Sequence, residues 1–347
     1  MKYLICQEFS NTTNNHAGIK HMCNLLKLHY PEEYEVIVFP DLYISLKKNI
    51  FIRKFQSILI KEVIVPYKYL KIGKLLNNKL GIGDTIYLLE YFELLFPQLI
   101  LAQYLRRKNR TLNIFGLVHL VPKKLEDSFS HSEMQKWIKP LSKILTLGTS
   151  LTDYFSTKLN IPPIKIRTLF HYVDLEYYKP LKREKFAIPK IIVMGNQKRN
   201  FELLKEIVDA NLDKTFIICQ GVMDLTSIFI ECLNVELIGY VEEIELLKLM
   251  QNSDISLNVM DDTIGSNVIT SSMAVGLAMV VSDVGSIRNY CKSDGAFYCN
   301  NYDLNSFTKA LNKLCTDKKS LYELQEKSLV YSKELSIHKL HNNLCEI

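Results

Sequence analysis

Short runs of aliphatic and β-branched residues alternate along this chain with stretches of helical periodicity, and the alternation runs through two series. KYLIC (2–6), YEVIVFP (34–40), DTIYLLE (84–90), TLNIFGLVH (111–119), KILTLG (143–148) and IKIRTLF (164–170) make up the first. PKIIVMG (189–195), TFIICQG (215–221), NVELIGY (234–240), ISLNVM (255–260) and AMVVSD (278–283) make up the second. Runs this continuously apolar predict strands buried on both faces, which means parallel sheets covered by helices. At 347 residues the chain is longer than one core usually serves. The two series therefore predict an α/β protein with two Rossmann-like domains, at 1–180 and 181–325. The charged segment YYKPLKREKFAIPK (177–190) is the expected linker.

Composition narrows the class. With 48% hydrophobic and 23% charged residues the chain can bury cores and is not disordered. The opening MKYLIC turns polar too quickly for a signal peptide. The longest apolar region, 86–102, is interrupted by Glu90 and Glu93 and is no membrane span. Eight cysteines form no C-x-x-C pair, and several sit in apolar runs as small hydrophobes. A disulfide framework and a zinc site are not expected, no other metal site is called, and a reducing cytoplasm is the expected compartment. The net charge of +6 is unevenly spread: Lys47 to Lys79 holds nine lysines or arginines and one acid, Glu62, interleaved with aromatic and aliphatic residues. That segment reads either as a solvated helix face or as a basic amphipathic surface for anionic lipid, with Lys47, Lys48, Arg53 and Lys54 as its leading charges. No nucleic-acid-binding motif accompanies it, and no nucleic-acid partner is expected.

Doubly wound sheets bind ligands beyond the carboxyl ends of their strands. The richest such loop opens the stretch GSNVITSSMAVGLAMVVSDVGSIRNY (265–290). Gly265 and Asn267 turn the chain so that the amides of Asn267, Val268 and Ile269 start a helix, and Gly276 suits its end. Free amides at a helix start attract anions, phosphate above all, and Gly265 lets backbone approach a ligand. An ordinary α/β loop has the same spacing.

Several segments in register resemble family 4 retaining glycosyltransferases of GT-B fold. FHYVDLEYYKP (170–180) is similar to the N-G-V-D-x-x-x-F-x-P segment that ends their N-terminal domain. PKIIVMGNQKRNFELL (189–204) resembles the opening of their donor domain, V-G-R-x-x-x-K-G-x-x-x-L. Residues 234–259 resemble V-x-F-x-G-x-V-x-x-x-E-L with its trailing A-D, and 267–290 resemble N-V-x-x-E-A-M-A-x-G-x-P-V-V-x-S-D-V-G-G-x-x-E. VHLVP (118–122) is similar to H-D-x-x-P. The match spans about 110–300 in order.

The resemblance implies two Rossmann-like domains with parallel sheets facing across a cleft, and a C-terminal helix (326–347) crossing back to the N-terminal domain. It implies transfer of a sugar from a nucleoside diphosphate to a hydroxyl with retention. No cofactor is expected beyond the nucleotide-sugar donor, a UDP-sugar first. Lys198 and Arg199 stand where the family binds phosphate, with Gly265, Ser266, Asn267 and Val268 at the distal phosphate. Gly239, Tyr240 and Val241 stand at the nucleobase loop. His119 matches the histidine near the donor sugar. Gly18 resembles the glycine-rich turn of the N-terminal domain, and His16, Lys20 and His21 are acceptor-side candidates.

The chain departs from the family at its two glutamates, which fall on Thr263 and Ser271. Asp261 and Asp262 just upstream are the candidate replacement for the first, as catalytic carboxylates. Ser271 is the candidate for the ribose hydroxyls, with weaker nucleotide binding expected from a neutral group. Asn196 or Gln197 replaces the first donor-domain arginine, and His171–Tyr172 replaces Asn-Gly, as expected of a different hinge turn. Three functions compete on this reading. The first is a cytoplasmic transferase acting on a saccharide or lipid-linked saccharide of a surface polysaccharide, peripheral at the membrane through 47–79. The second is a non-catalytic binding or partner subunit. The third is another GT-B enzyme, such as a sugar-nucleotide epimerase or a phosphorylase.

Overall fold

The computed structural model describes residues 1–8, 15–39, 50–93, 97–181 and 188–347. Contacts divide the chain into one unit of Met1–Leu169 and another of Phe170–Glu346. The expected boundary at 180 falls inside the second unit, and much of the expected linker, 182–187, lies outside the described residues.

The first unit runs β1 (Lys2–Gln7), α1 (Ile19–His29), β2 (Tyr34–Phe39), α2 (Ile50–Leu59), α3 (Val65–Lys79), β3 (Thr85–Tyr91), α4 (Leu99–Lys108), β4 (Asn113–Val118), α5 (Pro122–Ser128), α6 (His131–Ile138), β5 (Lys143–Thr146), α7 (Thr149–Thr157) and β6 (Ile166–Thr168). A π-helical turn, Ile60–Ile64, joins α2 to α3. The sheet order is β2-β1-β3-β4-β5-β6 and the pairs are parallel. Chain order reverses between β1 and β3. The inward side of α3 is Val65, Tyr69, Gly73 and Leu76, at helical spacing, and Tyr69 stacks on Phe39 with centroids 4.2 Å apart.

The second unit runs β7 (Lys190–Met194), α8 (Phe201–Asp209), β8 (Thr215–Cys219), α9 (Thr226–Phe229), β9 (Val235–Ile238), α10 (Glu243–Gln251), β10 (Ile255–Asn258), α11 (Asn267–Val275), β11 (Ala278–Ser282), α12 (Ile287–Cys291), β12 (Ala296–Cys299), α13 (Leu304–Thr316), α14 (Lys318–Ser332) and α15 (Ile337–Cys345). Its sheet is parallel in the order β12-β11-β10-β7-β8-β9. Ile191, Val193, Phe216, Ile218, Leu257 and Val280 supply sheet residues to the core, which α8 and α13 help to cover. Each strand expected from the runs is present. The strand β12 was not anticipated: AFYC is short, and only its cysteine is fully buried.

Chain order reverses a second time between β7 and β10. In a doubly wound sheet this is where a crevice opens at the strand ends. The loops after these two strands are joined by an antiparallel bridge between Arg199 and Met260. The amide of Asp261 donates to Lys198 O at 2.9 Å, and that of Asn200 to Val259 O at 3.1 Å.

Both ends of α11 follow from sequence. Ser266 is its N-cap, accepting from the Ile269 amide at 3.3 Å. Gly276 closes it in the left-handed region at φ 77°, where a Cβ would press on Leu329 of α14.

Candidate functional site

The site is built around the start of α11. Four amides begin any helix without intrahelical partners. Here Ser266 takes the one at Ile269, and among the described residues no hydrogen bond engages those of Asn267 and Val268. Beside them lies Gly195, at φ 84° just beyond β7. A Cβ there would stand 3.1 Å from Arg199 Nη2 and 3.1 Å from Val268 Cγ2. The Arg199 guanidinium and the α11 start thus flank one glycine, which holds the space between them open. Gly195 was not singled out from sequence, although a glycine ending a strand is the usual signal for such an approach.

Arg199 is held by Asn258, the last residue of β10, through Nη1 to Oδ1 at 3.0 Å. Its Nε is buried without a partner, and among the described residues no carboxylate pairs with it. Burial lowers its pKa to about 10, which leaves it cationic at neutral pH. A desolvated, uncompensated cation beside two free helix-start amides is an anion-binding arrangement. Lys198, the other expected cation, is exposed and takes a left-handed φ of 53°, a costly conformation for lysine.

The two candidate carboxylates diverge. Asp262 turns back on its own loop, with Oδ1 accepting from the Thr263 amide at 2.8 Å. Burial raises its pKa, partly offset by that hydrogen bond and by Lys198. Asp261 is exposed and lines a different pocket with Asp283, Asn300 and Tyr302. Thr263, at the position of the family's first glutamate, is buried, and its hydroxyl accepts from the Gly265 amide at 3.0 Å.

Two expectations are qualified at this loop. Gly265, at φ 102°, was assigned to ligand approach; a Cβ there would lie 2.2 Å from the Tyr290 ring, so it is the packing of Tyr290 that demands glycine. The Tyr290 hydroxyl donates to Ile264 O at 3.3 Å and accepts from the His171 amide at 3.0 Å. Ser271 was assigned to the ribose; it is buried, and its hydroxyl donates to Asn267 O at 2.6 Å inside its own helix, leaving only acceptor capacity. The replacement of Asn-Gly by His171–Tyr172 costs no strain, because neither residue takes a positive φ.

The DVGS turn is tied to the same loop. The Ser286 amide donates to Thr263 O at 2.7 Å. At Gly285, φ 53°, a Cβ would be 2.1 Å from Thr263 O and 2.5 Å from Asp262 Oδ1. This glycine lets the turn after β11 lie against the loop after β10.

The nucleobase candidates follow β9: Gly239 and Tyr240 are exposed, Val241 is partly covered, and Gly239 faces open space.

In the first unit, His119 follows β4, and its Nε2–H donates to Leu89 O at 2.7 Å. Burial lowers its pKa, partly offset by that bond, so the ring is neutral with one nitrogen committed to the backbone. Gly18 caps α1 at an ordinary φ of −79°. Lys20 pairs with Glu8, and the rings of His16 and His21 lie 4.5 Å apart. Sequence reading passed over Glu90, whose pKa burial pushes up to about 8, against the lowering effect of the Gln7 amide and Gln98. The adjacent Gln7 side chain is buried, with neither amide atom partnered.

Residues 188–317 match the family model "Glycosyl transferases group 1". No curated protein sequence matches the chain. Among solved structures, Alr3699/HepE of Anabaena, in complex with UDP, aligns over 100% of this chain and 99% of its own, with TM-score 0.71 and 11% identity. Sucrose-phosphate synthase of Thermosynechococcus elongatus aligns over 100% and 98%, with TM-score 0.70 and 10% identity. The lipopolysaccharide outer core galactosyltransferase WaaB aligns over 100% of both chains, with TM-score 0.66 and 14% identity. At such identities the likeness is one of fold. The chain has the α/β GT-B fold, and its second unit carries the group 1 glycosyltransferase pattern.

Proposed function

We propose that this protein is a glycosyltransferase that moves a sugar from a nucleoside diphosphate, UDP first, to a hydroxyl acceptor with retention at the anomeric carbon. One observation carries the reading: Arg199, without a carboxylate partner, stands beside Gly195 and the free amides of Asn267 and Val268. The chemistry fits that placement. When a nucleotide sugar breaks, negative charge grows on the departing diphosphate, and preorganised donors that need not reorient lower the barrier. The family match over 188–317 and the UDP bound by HepE support the donor class. No cofactor enters this reading beyond the donor.

The acceptor is a saccharide or lipid-linked saccharide of a surface polysaccharide, met in the cytoplasm at the inner face of a membrane. Among the described residues no helix is long and apolar enough to cross a bilayer. Support for surface contact comes from α2, the π turn and α3. Phe55, Leu59, Val63, Tyr67 and Leu70 are exposed at spacings of one helical turn, and Lys54, Lys61, Lys71 and Lys74 are exposed on the same helices. Lys47 and Lys48 lie outside the described residues, as does the side chain of Arg53.

The deciding experiment is a thermal-shift panel with UDP, GDP, dTDP, CMP and ADP, followed by NMR of the product anomer. A ligand at a hundredfold excess over Kd stabilises the folded state by about 2.7 kcal/mol. A shift with one diphosphate establishes the donor class. No shift with any of them overturns the reading and favours the second one, a binding subunit on the same fold. That alternative draws on Thr263 and Ser271, neither of them acidic and both engaged in their own backbone.

A further inference from the structure

We propose that the pocket beyond the ends of β10, β11 and β12 is a binding site for a neutral saccharide, separate from the anion site at Arg199. It encloses about 720 Å³, within the range of small-molecule sites. Its walls come from the second unit alone.

The chemistry of the wall selects the ligand. Asn200 and Asn300 each turn Oδ1 inward to the backbone: Asn200 caps α8 through the Leu203 amide at 2.9 Å, and Asn300 accepts from the Tyr302 amide at 2.9 Å. Both leave Nδ2 as a donor with no partner among the described residues. Asn301 does the reverse. Its Nδ2 donates to Met260 O at 2.6 Å, and its Oδ1 is buried with no partner. That oxygen is sealed from the pocket space, so Asn301 contributes to the wall by tying the loop after β12 to Met260 O. The Asp261 carboxylate adds an acceptor, also without a partner among the described residues. Two amide donors and a carboxylate acceptor around one space suit vicinal hydroxyls, each of which both gives and takes a hydrogen bond. Tyr302, 98% exposed, adds an aromatic surface at the rim.

Charge excludes the alternatives. Asp261 and Asp283 both line the pocket, and Arg288 beside them is engaged: it binds Asp283 with two hydrogen bonds, at 2.8 and 2.7 Å, and covers the Tyr298 ring at 4.0 Å. Among the described residues no lysine or arginine lines the space. A phosphate or uronate would meet carboxylates and no free cation.

Saturation-transfer NMR on the intact protein tests this, with maltotriose, N-acetylglucosamine, methyl α-galactoside and glucuronate as probes. At least one neutral sugar is expected to give signal, and glucuronate none. Asn300→Asp keeps the turn acceptor while removing the donor, and Tyr302→Ala alters only an exposed ring. Each is expected to weaken sugar binding about tenfold, with the UDP thermal shift unchanged. Arg199→Met is expected to do the opposite, abolishing the UDP response and sparing the sugar signal, so the two sites fail separately. Silence from all three neutral sugars overturns the proposal. So does sugar binding that survives both Asn300→Asp and Tyr302→Ala.

Discussion

Arg199 Nη1 donates to Asn258 Oδ1 at 3.0 Å, and among the described residues this neutral amide is its one side-chain hydrogen-bonding partner. An amide orients a guanidinium without neutralising it, so the charge stays available to a ligand. Because the cation is desolvated without compensation, Arg199→Met should leave the free protein as stable as before, or more stable. UDP affinity should fall by about 2–3 kcal/mol, the value of charge-assisted hydrogen bonds. Melting with and without UDP separates the two effects. A variant that melts early yet still responds to UDP would show that Arg199 serves the fold and not the ligand.

Gly285→Ala and Gly265→Ala should both destabilise the second unit, for different reasons. At Gly285 the obstacle is backbone, Thr263 O at 2.1 Å from a built Cβ, and backbone yields little. At Gly265 the obstacle is the Tyr290 ring. Each alanine also meets a positive φ, so a loss of about 2–4 kcal/mol is expected in urea unfolding. Tyr290→Leu should recover part of the Gly265→Ala loss and none of the Gly285→Ala loss. Equal recovery of both would show the collision at Gly265 is not what makes it glycine.

These glycines mark how far the sequence could be read. The start of α11 at Asn267, its end at Gly276 and the strand–helix alternation all rest on local spacing, and the structure repeats them. The reason for Gly265 lies in a side chain 25 residues further on, and spacing says nothing of such a contact. The isolation of Arg199 is a tertiary fact of the same kind, since lysines and acids surround it in sequence. The pocket residues Asn300 to Tyr302 were missed because β12 was missed, and a loop after an unrecognised strand has no assigned place. The partner of Ser271 was hidden for a chemical reason: a serine inside a helix finds the carbonyl four residues back.

Ser271→Ala should therefore change UDP affinity less than about threefold, since the hydroxyl proton is already used within α11 and the lost bond is a local one. Stability should change by about 0.5–1 kcal/mol. Isothermal titration with UDP reads this directly. A tenfold loss would return Ser271 to the ribose.

Charge and apolar surface on the α2–α3 helix should act together in binding lipid. Reversing Lys54 and Lys61 to glutamate should weaken sedimentation with phosphatidylserine vesicles, by about 1 kcal/mol per charge, and high salt should do the same. Phe55→Ser with Val63→Ser should weaken it in a way salt does not mimic, because both side chains are exposed and their burial in lipid is apolar. Wild-type protein that stays in the supernatant would end the membrane reading, leaving the transferase reading intact.

Glu90 should give the first unit an unusual pH dependence. Its carboxyl is desolvated, and hydrogen bonds from the Gln7 amide and from Gln98 only partly offset this, so the folded pKa is about 8 against an ordinary 4.5. Between those values folding takes up a proton, because the folded state keeps one that the unfolded chain has released. Its stabilising contribution is full below about pH 4.5 and is lost as pH climbs through 8. His119 runs the other way: its lowered pKa makes folding release a proton, so its contribution is full above about pH 6.5 and is lost as pH falls below that. Comparing wild type with Glu90→Gln isolates the first group from the second. The variant should match wild type near pH 5 and exceed it near pH 8 by about 3–4 kcal/mol. Parallel curves across that range would mean the carboxyl is ionised throughout and better solvated than its surroundings imply.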